Sequence, residues 1–225
     1  MALLLEKELD GSSRIGIWQI EEPEGFFLGQ LHLLPVEQAE LSQIKGRRRL
    51  EWLAGRYLVH FMLLKAGQAG LEERIPVLKD EFGKPHLEGS AFHLSFSHSH
   101  ERVAVLLARC SGGIDIQYFV PKIGAIAHKF MREAEAESLS SATRLEHLHL
   151  YWGAKEALYK AYGRKELDFR QHILVEPFQY AGPTVQSTGA VVKGGFSQQY
   201  DLWFERLQDY FLVTCLESPP SLRRT

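Results

Sequence analysis

The sequence has little cysteine, no long apolar run and no large excess of charge of either sign. Its 225 residues include two cysteines, Cys110 and Cys215, and neither belongs to a CxxC pair that could bind zinc or exchange disulfides. A chain of this length can bury a core without disulfide bonds, so two isolated thiols indicate a reducing compartment. No apolar run approaches the roughly 20 residues of a membrane helix, and residues 1–10 lack the features of a secretory signal. We therefore expect a cytoplasmic protein that has no membrane partner.

The charge balance gives no support to nucleic acid as a partner. The 28 acidic and 26 basic residues leave a formal net charge of -2, so nucleic acid would need a local basic patch. The segment Gly46-Arg47-Arg48-Arg49 is a short basic cluster of a kind that is usually solvated surface. Arginine also suits bidentate phosphate binding. A nucleic-acid-binding protein that uses Arg47 to Arg49 is therefore the weakest of three functional hypotheses.

Ten histidines, three of them at His93, His98 and His100, raise the alternative of a zinc site. No HExxH motif or cysteine pair accompanies them, and His98 and His100 follow the predicted end of a strand. We therefore do not expect zinc.

The first half of the sequence combines strands with helices. Residues 15–20 and 26–33 have the pattern of short strands, and residues 36–66 have apolar residues at helical spacing, with a break expected near Gly46. Further strands are expected at 75–79, 92–97 and 102–109, with a turn at 81–85. This half is expected to end near residue 110.

The second half repeats the same pattern. A strand at 113–118 and helical sequence at 121–163 are followed by strand-like residues at 171–178, 190–192, 200–207 and 210–216. We see no repeat at the level of single residues. The expected fold is α+β, with two similar halves that each pair helices with an antiparallel sheet. The expected divisions are 1–110, 111–217 and a disordered tail at 218–225.

The segment from His149 to Gly163 contains the richest group of chemically useful residues. On a helix, Trp152, Glu156 and Lys160 are spaced by four, so they share one stripe. The ordinary interpretation is an exposed Glu to Lys pair, which contributes a few tenths of a kcal/mol. The small residues at 153, 154 and 157 would let another backbone or a ligand approach this helix closely.

Asp115 lies within an apolar strand, where an ionised carboxylate is costly unless it is paired or bound to a metal. The alternative is a cap or turn residue at the end of the strand. Asp115 and Glu156 together would give a site of hard oxygen ligands, which magnesium accepts when phosphates and water complete the octahedron. The residues therefore indicate magnesium-dependent chemistry on a phosphate ester.

Two motifs in order resemble the 4'-phosphopantetheinyl transferase superfamily. They are Gly113-Ile114-Asp115 and, about 40 residues later, Trp152-Gly153-Ala154-Lys155-Glu156-Ala157-Leu158-Tyr159-Lys160. Upstream, Phe82-Gly83-Lys84-Pro85, Ser95-Phe96-Ser97-His98-Ser99 and the pair of Arg47 with Ala54-Gly55-Arg56 also resemble family segments. The resemblance implies the two-half, surfactin-type form, in which coenzyme A lies in the cleft between the halves.

The resemblance also implies an activity and residue roles. The activity is Mg²⁺-dependent transfer of the 4'-phosphopantetheine arm of coenzyme A to a serine of an acyl or peptidyl carrier protein, releasing 3',5'-ADP. Asp115 and Glu156 would bind Mg²⁺, Glu156 would also deprotonate the serine, and Lys160 would stabilise the departing nucleotide. The remaining implied residues are Arg47 at the 3'-phosphate, Lys84 and Pro85 in the phosphate-holding turn, and Ser97 and His98 at phosphate oxygens, with His98 also counted as catalytic.

One position departs from the commonest family pattern. Many members have a glutamate two residues after the motif aspartate, where this sequence has Gln117. An amide oxygen is a weaker ligand than a carboxylate, so either Gln117 or water would complete the metal site. The second functional hypothesis, a non-catalytic module that binds coenzyme A or a nucleotide, rests on this position. The sequence identifies neither the carrier protein nor the oligomeric state, although a monomer would suffice.

Overall fold

The computed structural model describes residues 2–70 and 74–219, and residue contacts divide the chain between residues 109 and 110 into two compact units. Residues 220–225, which belong to the tail expected to be disordered, lie outside the described residues. Every helix in the described part is either too short or too polar to span a lipid bilayer.

Unit 1 contains a six-stranded antiparallel sheet and three helices, with a core between the sheet and the longest helix. The strand order is β1-β2-β6-β5-β4-β3. The elements are β1 (Leu3–Glu8), β2 (Arg14–Gln19), α1 (Glu24–Gln30), α2 (Pro35–Gln43), α3 (Arg47–Lys65), β3 (Val77–Lys79), β4 (Pro85–Leu87), β5 (His93–Ser99) and β6 (Arg102–Ala108).

Unit 2 contains a five-stranded antiparallel sheet in the order β7-β11-β10-β9-β8, again with one long helix against its core. The elements are β7 (Gly112–Tyr118), α4 (Ile123–Phe130), α5 (Glu133–Glu137), α6 (Arg144–Tyr162), β8 (Ile173–Val175), β9 (Thr184–Lys193), β10 (Phe196–Leu207) and β11 (Tyr210–Glu217). Gly163 ends α6 in the left-handed conformation, with φ of 71°, which glycine adopts without strain.

The two units have the same topology once the additional edge strand β1 is set aside. In each, the first strand is followed by three helices, and the fifth strand pairs beside the first. The predicted α+β fold with two similar helix-plus-sheet halves is therefore confirmed. The two helices expected within residues 36–66 are also confirmed, and they are separated at Gly46, where φ is 60°.

A buried glutamate marks a correspondence between the units that the sequence pattern does not reveal. Glu37 in α2 and Glu135 in α5 each accept a hydrogen bond from the N–H three residues earlier and another from a backbone N–H of a short strand. Each also pairs with a cation of the long helix or its neighbourhood. The matching positions are Leu34 with Arg132, Glu37 with Glu135, and Val77 with Val175.

The strand predicted at residues 26–33 is wrong, because this segment contains most of α1 and the irregular residues that follow it. Glu24 lies in the first turn of the helix, and Phe27 and Leu31 are buried at a helical spacing of four. The Phe27 ring also packs edge-on against Tyr57 of α3, with centroids 5.6 Å apart. Packing against α3 therefore overrides the preference of the local sequence for a strand.

Candidate functional site

The two sequence motifs of unit 2 pack directly against each other. Gly113 of β7 lies under α6, where an added Cβ would be 1.9 Å from the carbonyl oxygen of Ala157. At Gly153, an added Cβ would be 2.7 Å from Val213 and 2.9 Å from the amide nitrogen of Gln117. The small residues of both motifs therefore allow a strand and a helix to approach closely. Of the two alternatives given above for the small residues of α6, the structure shows the approach of another backbone element, β7.

This close approach brings Lys160 of α6 onto Asp115 of β7. The Lys160 ammonium donates hydrogen bonds to Asp115 Oδ1 at 2.7 Å and to the Ile114 carbonyl oxygen at 2.9 Å. Asp115 is only 7% exposed, so its charge needs the partner that the lysine supplies. Asp115 is thus a paired carboxylate within the strand and not a cap at its end.

Glu156 stands one turn before Lys160 on the same stripe of α6 and is half-buried. Burial and the negative charge of Asp115 raise the pKa of the Glu156 carboxyl, and the Lys160 ammonium partly offsets them. The structure therefore brings Asp115 of β7 close to Glu156 and Lys160, which share one stripe of α6 as their spacing of four predicted. Two carboxylates against one ammonium leave a negative charge in a poorly hydrated place.

That donor set suits a hard divalent cation, which would keep both carboxylates ionised. Within the described residues, 2–70 and 74–219, no three His, Cys, Asp or Glu side chains are grouped so that they could hold a metal ion. The protein would therefore supply only two ligands. A cation bound to Asp115 and Glu156 would take its remaining ligands from substrate oxygens and water, as Mg²⁺ commonly does. The residues present therefore fit magnesium.

Two neighbours of the stripe have packing roles. Trp152 lies edge-on to Phe130, with centroids 5.2 Å apart, and also contacts Phe169. Lys155 leaves α6 in a different direction from Glu156, and it is fully buried and pairs with Glu135 at 2.8 Å. Within the second motif, the residues on one face form the site and Lys155 anchors the helix to the core.

Gln117 extends from β7 toward α6 and is held there by His149. Its Oε1 lies 2.7 Å from His149 Nδ1, and its Nε2 donates to the His149 carbonyl oxygen at 2.9 Å. Nε2 also lies 3.4 Å from Asp115 Oδ2. The His149 ring is buried and stacks on Phe211 at an angle of 7°. The amide nitrogen of Gln117 is therefore the atom that faces Asp115.

In unit 1, Glu51 holds two of the side chains that the sequence indicates as phosphate ligands. Its carboxylate lies 3.5 Å from Arg47 Nε, one helical turn away, and 3.2 Å from His98 Nδ1. Arg47 also donates to the carbonyl oxygen of His100. The structure thus places Arg47 and His98 together beside the beginning of α3.

Ser97 and His98 do not point the same way. Successive side chains of a strand alternate between its faces, and His98 reaches α3 on the same side as Phe96, which packs against Gly55. Ser97 therefore lies on the opposite face of β5, where it is buried. The two side chains can approach one ligand only near the end of the strand.

Lys84 and Pro85 lie in a tight turn. The backbone N–H of Lys84 donates to Asp80 Oδ1 at 2.8 Å, and Gly83 adopts a φ of 86°. Pro85 is the first residue of β4. Arg56, in contrast, is a structural residue, because it pairs with Glu40 at 3.0 Å and is buried.

Sequence reasoning missed Glu51 and His149. Glu51 follows Arg47 by four residues, so the i,i+4 rule for helices could have identified it. His149 precedes Gly153 by four residues and Glu156 by seven, so helical spacing places it on the face of α6 that meets β7. No sequence signal relates it to Gln117 itself on that strand.

Comparisons with known proteins identify the segment that contains these motifs. Residues 111–215 match the model of the 4'-phosphopantetheinyl transferase superfamily. The chain is similar to proteins named holo-[acyl-carrier-protein] synthase. These come from Geobacillus kaustophilus (33% identical, 31% of this chain and 60% of the relative), Halalkalibacterium halodurans (35%, 33% and 71%) and Lacticaseibacillus casei (38%, 32% and 64%). The chain therefore spans less than two thirds of the length of two of these relatives. Each match covers about a third of the 225-residue chain.

Proposed function

Because this chain belongs to the 4'-phosphopantetheinyl transferase superfamily, we propose that it transfers the 4'-phosphopantetheine arm of coenzyme A to a serine of a carrier protein. The observation that carries this proposal is the contact of β7 with α6, which brings Asp115, Glu156 and Lys160 together inside the matched segment. Relatives named for acyl-carrier-protein chemistry support a carrier as the acceptor.

In the proposed reaction, Asp115 and Glu156 would hold Mg²⁺, and the ion would neutralise charge on the pyrophosphate of coenzyme A. The serine Oγ forms a bond to the phosphorus next to the pantetheine arm, and the bond from this phosphorus to the oxygen of 3',5'-ADP breaks. Glu156 accepts the serine proton, directly or through a water molecule. Burial and the charge of Asp115 raise the pKa of the Glu156 carboxyl, and a bound Mg²⁺ would lower it again, so that the carboxylate would be ionised and able to accept this proton.

Lys160 has a second role in this proposal. Its ammonium donates a hydrogen bond to Asp115 Oδ1, next to the place where phosphate oxygens would approach. An ammonium at that position stabilises the negative charge that develops on the departing 3',5'-ADP. Preorganised charge of this kind is usually the largest contribution to catalysis of phosphoryl-group transfer.

The side chains of unit 1 are proposed to bind coenzyme A. Arg47 suits the 3'-phosphate, because guanidinium groups bind phosphate through two parallel hydrogen bonds. His98 stands beside Arg47 on Glu51, and Ser97 offers a hydroxyl on the other face of β5. The turn that contains Lys84 and Pro85 would contribute a further cation at the phosphates.

The release of 3',5'-ADP tests the proposal. Chromatography of a mixture of the chain, coenzyme A, Mg²⁺ and apo-carrier should show one 3',5'-ADP for each carrier consumed. Removal of Mg²⁺ with EDTA, or the change Glu156→Gln, should abolish release. The exposed Glu137→Gln is the matched control and should leave release unchanged. Tight binding of coenzyme A without release of 3',5'-ADP would contradict transfer and favour a non-catalytic binding module.

A further inference from the structure

The orientation of the Gln117 amide is fixed by its partners. A carbonyl oxygen only accepts hydrogen bonds, so the atom 2.9 Å from the His149 carbonyl must be the amide nitrogen. The amide oxygen then faces His149 Nδ1 at 2.7 Å, and this ring nitrogen must carry the hydrogen. The nitrogen of the amide also faces Asp115, and nitrogen bearing two hydrogens is repelled by a cation and does not coordinate it.

The histidine is itself held on every side. With its hydrogen on Nδ1, its Nε2 accepts the backbone N–H of Val120 at 3.1 Å, and the Val120 carbonyl oxygen lies at the same distance. The ring is stacked on Phe211 and has a tilted contact with Phe119 at 5.3 Å. The Gln117 amide has one favoured orientation, because a rotated amide would lose its bond to the His149 carbonyl oxygen and would turn its own oxygen toward Asp115 Oδ2.

We propose that Gln117 and His149 form a positioning pair and that Gln117 is not a metal ligand. The pair directs an N–H toward Asp115 Oδ2, while Lys160 occupies Oδ1, so the carboxylate is held from both sides. This inference rests on the proposed function, because it assigns the pair to a carboxylate that binds Mg²⁺. It also explains how a chain with glutamine at this position keeps an oriented site with two carboxylates. Partners of a metal ligand typically contribute about 10-fold to 100-fold to metal affinity.

Binding of Mn²⁺ in the presence of coenzyme A and absence of carrier tests the pair without any turnover. The electron paramagnetic resonance signal of free Mn²⁺ measures the affinity directly. We expect Gln117→Leu and His149→Phe each to weaken binding by about 10-fold to 100-fold, and the double variant to be no weaker than either. His149→Asn places an amide N–H near the position of Nδ1, so this variant should bind Mn²⁺ about as tightly as the unaltered chain and more tightly than His149→Phe.

The variants distinguish positioning from direct ligation. A Gln117→Leu variant with weak binding, beside a His149→Phe variant with normal binding, would show that Gln117 ligates the metal and would overturn the proposal. Normal binding in both variants, or no binding by the unaltered chain, would also overturn it. If His149→Phe does not fold, as judged by circular dichroism, His149→Gln removes the same bond with a polar side chain. A chain that binds Mn²⁺ as expected but releases no 3',5'-ADP would refute the proposed function and leave the pair intact.

Discussion

Replacing Gly113 by alanine should disable the site without altering any of its charged groups. The new Cβ would lie 1.9 Å from the Ala157 carbonyl oxygen, and real Cβ contacts are essentially never shorter than 3.0 Å. Because backbone atoms cannot rotate away as a side chain can, β7 and α6 must separate by about 1 Å. Asp115 and Lys160 lie on either side of this contact, and their 2.7 Å hydrogen bond would lengthen beyond normal range.

The expected cost follows from that displacement. A shift of about 1 Å at a catalytic site lowers the rate about 100-fold, and overpacking of a core costs about 1 to 3 kcal/mol of stability. Initial rates of 3',5'-ADP release and urea unfolding measure the two effects. Gly182→Ala is the control, since its Cβ would contact nothing within 4 Å. A folded Gly113→Ala variant with unchanged turnover would refute the proposed dependence of the site on this contact.

Three further changes test other parts of the structure. Lys155→Met leaves Glu135 buried without its cation and should lower the free energy of unfolding by about 3 to 5 kcal/mol in urea. Glu51→Gln removes the charge that holds two proposed phosphate-binding side chains and should raise KM for coenzyme A about fivefold, with a smaller change in kcat. Burial lowers the pKa of His147 below 6.5, so its contribution to stability is complete above pH 6.5 and falls as the pH decreases toward the lowered pKa. His147→Phe should therefore reduce the slope of unfolding free energy against pH below 6.5 by up to about 1.4 kcal/mol per unit.

Each of these changes has a contradicting result, and the two that concern stability also have a control. The exposed Lys165→Met should leave stability unchanged, and an equal loss in both lysine variants would contradict the buried pair. For Glu51→Gln, a fall in kcat with constant KM would assign Glu51 to the chemical step and not to binding. His128→Phe, at an exposed position, should keep the slope with pH, and an unchanged slope in His147→Phe would exclude that residue as its source.

The central residues of the site could be predicted from the sequence because their spacing is local. Glu156 and Lys160 share a helix, and Gly113 and Asp115 share a strand, so helical and strand periodicity fix their directions. The small residues also indicate where the two elements touch. Periodicity thus predicts which residues share a face of each element, and the resemblance of both motifs to one family predicts that these faces meet in one site.

Other features could not be predicted because their causes are distant in sequence. Residues 26–30 are helical because they pack against Tyr57, and local apolar content gives no sign of that partner. Glu37 and Glu135 share a role although the residues around them differ, so a search for repeated letters does not detect it. The bond between Gln117 and His149 joins a strand to a helix 32 positions away.

The intact mass of apo-carrier proteins is the most direct test of the central claim. A panel of fatty acid, polyketide and nonribosomal peptide carriers would each be incubated with the chain, coenzyme A and Mg²⁺. The proposed function predicts that at least one carrier gains the mass of one phosphopantetheine arm, and that the gain disappears with Glu156→Gln. If no carrier gains this mass while the chain is folded and binds coenzyme A, the chain is not a phosphopantetheinyl transferase for these acceptors and the proposed function is wrong.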